Sequence, residues 1–308
     1  MRKYLLPQTG TFFKANLHCH STLSDGTWTP ERIKEEYKKQ GYSIVAYTDH
    51  NKMVNHADLC DDSFLAMNGY EIDINAPGEV WGLQKTCHTC FVALSPDLQK
   101  QDCFDFKREY SHACISEMMK RGRREGYFVT YNHPAWSLQD YSDYMGYEGM
   151  HAMEMVNYGC VEAGYEDYNP QVYDDMLRGG KRIYCIATDD NHNRRNDSFG
   201  GFTVIKAETL DYAHIADALV KGHFYASEGP QITALWVEDN KVHIECLDAV
   251  KIAMVSGIIR AGSKYGTEEQ PLTSAEFELS PKQKYFRLVV TDKKGKHACT
   301  NAYFLDEL

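Results

Sequence analysis

"FKANLHCHSTLSDGTWTPERIKEEYKKQGYSIVAYTDH", Phe13 to His50, reads as strand, helix and strand in one pass. Residues 13–20 alternate, with Phe13, Ala15 and Leu17 on one face and His18 and His20 on the other. The next segment is punctuated as a helix. Thr29 suits the N-cap, Pro30 the first turn and Gly41 the stop. "SIVAYTDH" is then a short β-branched strand. Both strands run into residue types that can ligate metals, His18 and His20 in one case, Asp49 and His50 in the other. Asp25 lies on the loop between them.

The rhythm continues outward. Strands are predicted in "FLAMNGYEIDI", "CFVALS", "YFVTYNHPAW", "AMEMVNYG", "RIYCIATDDNH", "GFTVIKA" and "HFYASEG". Helices are predicted from about Asp105 to Glu125, in "NPQVYDDMLRGG" and in "DYAHIADALVKG". Alternating β and α elements predict an α/β fold with parallel strands, closed as a barrel or doubly wound. Beyond Gly229 the composition shifts to alternating strands, with turn signals at Glu238-Asp239-Asn240 and Lys294-Gly295. This predicts an α/β domain over 1–228 and a small all-β sandwich over 229–308.

Of 308 residues, 43% are hydrophobic and 25% charged, as in an ordinary globular protein. No apolar run is long enough to span a bilayer, and no secretory leader is read at the start. A net charge of −11 argues against a nucleic-acid surface and leaves room for a phosphate substrate if metals reverse the local charge. The ten cysteines are irregularly spaced, which predicts reduced thiols and a cytoplasmic protein.

The strand ends together supply His18, His20, Asp25, His50, Glu71, His88, His133, Asp190 and His192. A lone histidine is most often structural, and His56, His112, His151, His214, His223, His243 and His297 stay in that class. Placement sets the nine apart, because the strand-end loops of an α/β barrel converge on one mouth. One ion needs three or four protein ligands. Nine suit two or three divalent ions sharing a carboxylate, and mixed imidazole and carboxylate donors favour Zn, Fe or Mn.

At these residues the sequence resembles the PHP (polymerase and histidinol phosphatase) family. The motifs are "NLHCHSTLSDG", "AYTDHN", "GYEI", "NHP" and "ATDDNH", in that order, over about residues 12 to 228. The tail is similar to the β domain behind stand-alone bacterial PHP phosphoesterases. The resemblance implies a distorted (β/α)7 barrel with a trinuclear metal site. It assigns His18 and His20 to the first motif, with Asp25 where some members carry histidine. His50 ends the second motif, Glu71 bridges two ions, and His88 and His133 serve the third. Asp190 and His192 close the set, Asp190 being preferred to Asp189 by the Asp-x-His pattern and because it would share a strand face with His192.

The expected activity is a metal-dependent phosphoesterase acting on a small phosphorylated metabolite, by metal-activated hydroxide attack at a di- or trinuclear site. Glu71, Asp190, His192 and Arg194 are the expected catalytic groups. Arg194, or Arg195 beside it, would fork onto phosphate. The partner is a small-molecule phosphate ester, with no nucleic acid or membrane partner. His88 to His133 spans about 45 residues, short for the helical insertion of members acting on nucleoside bisphosphates. An amidohydrolase-type C–N hydrolase also opens on His-x-His, but demands neither Thr-Asp-His nor Glu71. A non-catalytic metal-bound scaffold is the third reading.

Several features read as structural. Cys87 and Cys90 form C-x-x-C but lead into a strand and lack a second pair, so both are read as packing residues. Asp49 is read either as the partner of a ligand histidine or as a turn residue. Tyr131 and Trp136 flank "NHPAW" and are read as packing. "KRGRREG" is read as the solvated basic end of a helix.

Overall fold

A computed structural model describes residues 2–78, 80, 82–98, 107–259 and 262–308. Cys103 and the expected helix start at Asp105 lie outside the described residues. The chain runs β1 (Lys3–Tyr4), β2 (Thr11–Asn16), α1 (Pro30–Lys39), β3 (Ile44–Tyr47), β4 (Leu65–Asn75), β5 (Thr86–Ala93), α2 (His112–Arg124), β6 (Tyr127–Tyr131), α3 (Tyr141–Tyr144), β7 (Ala152–Asn157), α4 (Tyr158–Glu162), α5 (Pro170–Arg178), β8 (Tyr184–Thr188), β9 (Phe202–Ala207), α6 (Tyr212–Lys221) and β10 (Phe224–Ser227).

Local chemistry sets the helix ends. Thr29 accepts from the Arg32 N–H at the start of α1, and Gly41 beyond its end takes a φ of 76°. Ser111 caps α2, and Asp211 caps α6, which stops at the left-handed Gly222. The basic last turn of α2 is tied by ion pairs from Arg121 to Glu125 and from Arg124 to Glu117.

Seven strands, β2 to β8, form a distorted barrel. The pairs β2–β3, β3–β4, β6–β7 and β7–β8 are parallel. The chain beyond β2 closes the ring against the chain beyond β8. Cys19 bridges Asn191, and the Asp190 N–H donates to the His18 carbonyl at 3.0 Å. Ile44, Ala46, Met67, Val92, Phe128, Ala152 and Ile186 pack with Ala15 of β2 and Leu17 just beyond it in one apolar cluster.

The expectation of parallel strands fails at three places. β5 pairs antiparallel with both neighbours, β9 runs antiparallel on β2, and β10 runs antiparallel on β9. A parallel pair needs a long crossover, usually a helix. The described part of the connection from β4 to β5 contains no helix. This reversal positions the site. It brings His88, near the start of β5, opposite Asp73, near the end of β4, at the same mouth as the other motifs.

The C-terminal strands are β11 (Ile232–Glu238), β12 (Lys241–Ala249), β13 (Lys251–Ser256), β14 (Ser263–Tyr265), β15 (Leu272–Glu278), β16 (Tyr285–Thr291), β17 (His297–Thr300) and β18 (Tyr303–Phe304). Asp239 and Asn240 turn β11 into β12 with φ of 49° and 59°, the values a two-residue hairpin with a type I′ turn requires. One small antiparallel sheet has the order β1-β11-β12-β15. The other layer, β14-β13-β16-β17, continues the main sheet through β10. Ile232, Leu235, Val242, Ile244 and Phe277 pack with Ile252, Phe286, Leu288 and Val290 between the layers. Two long-range ties bind the sandwich to the barrel. β1 crosses from the N-terminus to pair with β11, and the buried Arg287 forks onto Asp174 of α5 at 2.8 and 2.9 Å.

Candidate metal centre

All nine ligand candidates converge at the barrel mouth. Glu71 points inward from the middle of β4 and is 1% exposed. Its Oε1 lies 3.1 Å from His88, 3.3 Å from His18 and 3.4 Å from His133. Its Oε2 lies 3.2 Å from His50 and 3.5 Å from His20. Asp190 Oδ1 is 3.1 Å from the Nε2 atoms of both His18 and His20. Asp25 reaches His192 at 3.3 Å and His50 at 3.7 Å. Three of the clusters whose donor atoms fall close enough to surround an ion are His20, Asp25, His50 and His192; His18, His133 and Asp190; and Glu71, His88 and His133.

The donors fit metal ions better than they fit each other. His18 Nε2 and His20 Nε2 are 3.1 Å apart, so two ring nitrogens aim at one point. The buried His20 Nδ1 and Asp190 Oδ1 make no hydrogen bond among the described residues. Asp190 Oδ1 is close to two imidazoles but not aligned for a bond to either, as expected when lone pairs converge on a shared cation. Buried polar atoms without partners are costly, and a bound cation removes the cost.

Without ions, protons serve as counter-charges. Burial disfavours an imidazolium at His133, but the bond to Glu71 and the charge of Asp190 lift its pKa to about 9. At His192, burial is likewise outweighed by Asp25 and Asp190, again to about 9. His20 goes the other way, to about 4, through burial and the neighbouring charge of His192. Against burial, His88 and His18 hold Glu71 well below the ordinary carboxylate range. His18 and His20 do the same for Asp190.

The supporting residues are mostly ones the motifs did not flag. Glu154, fully buried in β7, accepts from His18 Nδ1 at 2.6 Å and Thr188 Oγ1 at 2.7 Å. Its second oxygen accepts from the His133 N–H and Asn157 Nδ2, each at 3.0 Å. A carboxylate inside the otherwise apolar "AMEMV" was the available signal. Asn132 Nδ2 donates to Glu71 Oε1 and to Cys90 Sγ, both at 3.0 Å. Asn157 Nδ2 also donates to Asp190 Oδ2 at 3.0 Å. Cys87 packs in the core as expected, but the Cys90 thiol faces the site beside His18 and Glu71. Two residues three apart on a strand face opposite sides, so the two thiols meet different surroundings.

Other expectations are refined. Asp49 accepts from Ser21 N–H, Ser21 Oγ and Ser24 Oγ and, among the described residues, bonds no histidine, so it ties the loop after His20. Asp189 is structural, accepting from the N–H groups of Phe199, Gly200 and Gly201 and from the Tyr37 hydroxyl. Asp190 and His192 share the site but not a strand face. β8 ends at Thr188, and Asp190 takes a φ of 50°. His133 also has positive φ, 25°, so two site residues hold strained backbone. Trp136 does pack, ring edge to ring, on His88 and His133, and also lines the cavity over the site. Arg194 donates to the Asp25 carbonyl at the cavity rim, and Arg195 lines the same cavity. The cavity holds about 460 Å³. The seven histidines set aside belong to none of the clusters found among the described residues. No helix among those residues is long and apolar enough to cross a membrane, and all nine of their cysteines are free thiols.

No family model matches the chain. Over 73 residues it is 36% identical to the DNA polymerase/3'-5' exonuclease PolX of Bacillus subtilis (strain 168), covering 23% of this chain and 13% of that protein. The chain thus spans a small part of that relative's length. A crystal structure from Bacteroides vulgatus ATCC 8482, of a two-domain protein containing a predicted PHP-like metal-dependent phosphoesterase, matches over 98% of both chains. The TM-score is 0.50 and the identity 17%. A likeness at that identity speaks to architecture, and it agrees with the ring of seven strands and the sandwich behind it: this chain has the two-domain PHP-like fold.

Proposed function

We propose that the protein is a metal-dependent phosphoesterase that hydrolyses a small phosphorylated metabolite. The observation that carries the proposal is the convergence of nine imidazole and carboxylate groups, seven of them lining one cavity, with two of their buried atoms unpartnered among the described residues and two arginines beside them. Glu71, within 3.5 Å of five imidazoles, is the carboxylate that two ions would share. Two or three divalent ions, of Zn, Fe or Mn, would polarise the phosphoryl oxygens and lower the pKa of water.

The chain's own groups do the rest. His18, held by Glu154, and His133, held through its N–H, keep the buried side rigid. Asp25, His50 and His192 form the partly open side through which substrate enters. Arg194 is anchored through the Asp25 carbonyl, which leaves its remaining donors to fork onto a phosphoryl oxygen pair. Glu71 at the centre of the cluster supports this reading over a C–N hydrolase, which would not need it. The test is a panel of phosphomonoesters, phosphodiesters and amides with added Mn, Zn or Fe. Phosphomonoester turnover that chelation removes is expected; amide hydrolysis alone, or turnover indifferent to chelation, contradicts the proposal.

A further inference from the structure

A buried free thiol ordinarily behaves as a small apolar residue. Cys90 does not. It is fully buried, yet among the described residues it belongs to none of the apolar clusters that take in Cys19, Cys87, Cys185, Cys246 and Cys299. On the β4–β5 ladder it sits directly opposite Glu71, so the two side chains stand on one face. His88, two residues earlier on β5, points the same way. One donor atom each from His18, Glu71 and Cys90 falls within 4.8 Å of the others, and all three residues are buried.

The atoms around that point are arranged for a cation. Glu154 takes His18 Nδ1 at 2.6 Å, which leaves Nε2 for an ion. That nitrogen lies 3.3 Å from Glu71 Oε1 and 3.1 Å from Asp190 Oδ1. Asp190 is 9% exposed, and this oxygen has no hydrogen bond among the described residues. One amide serves both Glu71 and Cys90. Asn132 Oδ1 accepts from Thr130 Oγ1 at 2.8 Å, which turns its NH2 inward to donate to Glu71 Oε1 and Cys90 Sγ, both at 3.0 Å. Neutral thiol sulfur is a weak acceptor. The backbone N–H groups of Ala66 and Glu109 stand 3.4 Å from the sulfurs of Cys60 and Cys114. The closer approach at Cys90 suits a sulfur that carries negative charge, because charge shortens a hydrogen bond.

We propose that Cys90 is a tenth metal ligand: its thiolate joins His18 and Glu71 in holding an ion on the buried side of the site. The thiol proton leaves to solvent as the ion binds. The inference rests on the metal centre of the reading above and not on its reaction. A thiolate donor also narrows the metal. Zinc suits it, whereas manganese is better served by carboxylate and water.

The test loads metal-free protein with Co(II) and compares the spectra of wild type and Cys90→Ser. Sulfur bound to cobalt gives a near-ultraviolet charge-transfer band that nitrogen and oxygen donors do not. The wild type should show the band. Cys90→Ser should lose it and keep the visible bands of bound cobalt. Its zinc affinity should fall by about ten-fold or more, with manganese affinity little changed; equal losses for both metals count against a thiolate. Should Cys90→Ser fail to fold, X-ray absorption at the zinc edge decides. A sulfur shell at about 2.3 Å in the wild type, kept in Cys160→Ser, supports the proposal. Three results overturn it and leave the metal centre standing: cobalt bound without the band, zinc with nitrogen and oxygen shells alone, or sulfur that survives in Cys90→Ser and so belongs to Cys160, whose thiol lies 4.0 Å from Asp190 Oδ2. Protein that takes up neither cobalt nor zinc overturns the metal centre and this proposal together.

Discussion

Replacing Glu154 by glutamine separates a ligand's position from its identity, because Glu154 touches the ligand candidates without joining their clusters. Each of its oxygens accepts two hydrogen bonds, from His18 Nδ1 and Thr188 Oγ1 on one, and from the His133 backbone N–H and Asn157 Nδ2 on the other. A glutamine amide of the same shape keeps one oxygen and sets an NH2 against two donors at the other. Loss of a hydrogen bond to a charged group costs about 1.5–3 kcal/mol. Partners that orient metal ligands typically change metal affinity by about 10- to 100-fold, which is about 1.4–2.7 kcal/mol. The two scales agree, so Glu154→Gln should weaken by about 10- to 100-fold the ion held by His18, His133 and Asp190. The His20, Asp25, His50 and His192 group should be far less affected. Competition titration of metal-free protein against a chromophoric chelator reads both constants, and circular dichroism checks the fold. Unchanged affinity at both sites in a folded variant would refute the role given to Glu154.

Further outcomes follow from the same geometry. Asp190→Ala or His20→Ala removes a central donor and should abolish phosphomonoester turnover, with an unchanged far-ultraviolet spectrum; full activity in either would count against the site. His133 and His192, at about 9 in metal-free protein against an ordinary 6.5, contribute stability that is complete below pH 6.5 and lost as pH rises through about 9. Ions displace those protons, so metal affinity should rise over the same interval, with proton release seen as buffer-dependent heat in calorimetry. Arg287→Ala leaves the buried Asp174 with only the more distant Arg178, at 4.0 Å, and should cost about 3–5 kcal/mol in denaturant unfolding, with metal content unchanged; a loss below 1 kcal/mol would show that the pair does not anchor the sandwich.

What could be read beforehand divides along a physical line. The limits of α1 were legible because Thr29, Pro30 and Gly41 act locally. So was the Asp239-Asn240 hairpin, whose turn needs positive φ at both residues. The convergence of the nine ligand candidates was legible because imidazoles and carboxylates fall at one strand end after another. Strand direction was not, since alternation looks the same in either sense, and β5, β9 and β10 all reverse. The pairing of Lys3 and Tyr4 with Val237 and Trp236 joins residues more than two hundred apart, beyond any local signal. The left-handed turn at Asp190 replaced an expected strand face because ring closure through Cys19 and Asn191 ends β8 early. Glu154 was passed over as one polar residue in an apolar strand, although a charge in so buried a place needs a partner.

Anomalous diffraction at the Mn, Fe and Zn edges, on crystals of protein purified without chelators, tests the central claim most directly. The account predicts two or three ions within about 4 Å of one another, touching Glu71 and Asp190 and enclosed by His18, His20, His133 and His192. A cavity holding no ion after incubation with each metal, or ions bound away from Glu71 and Asp190, would contradict it.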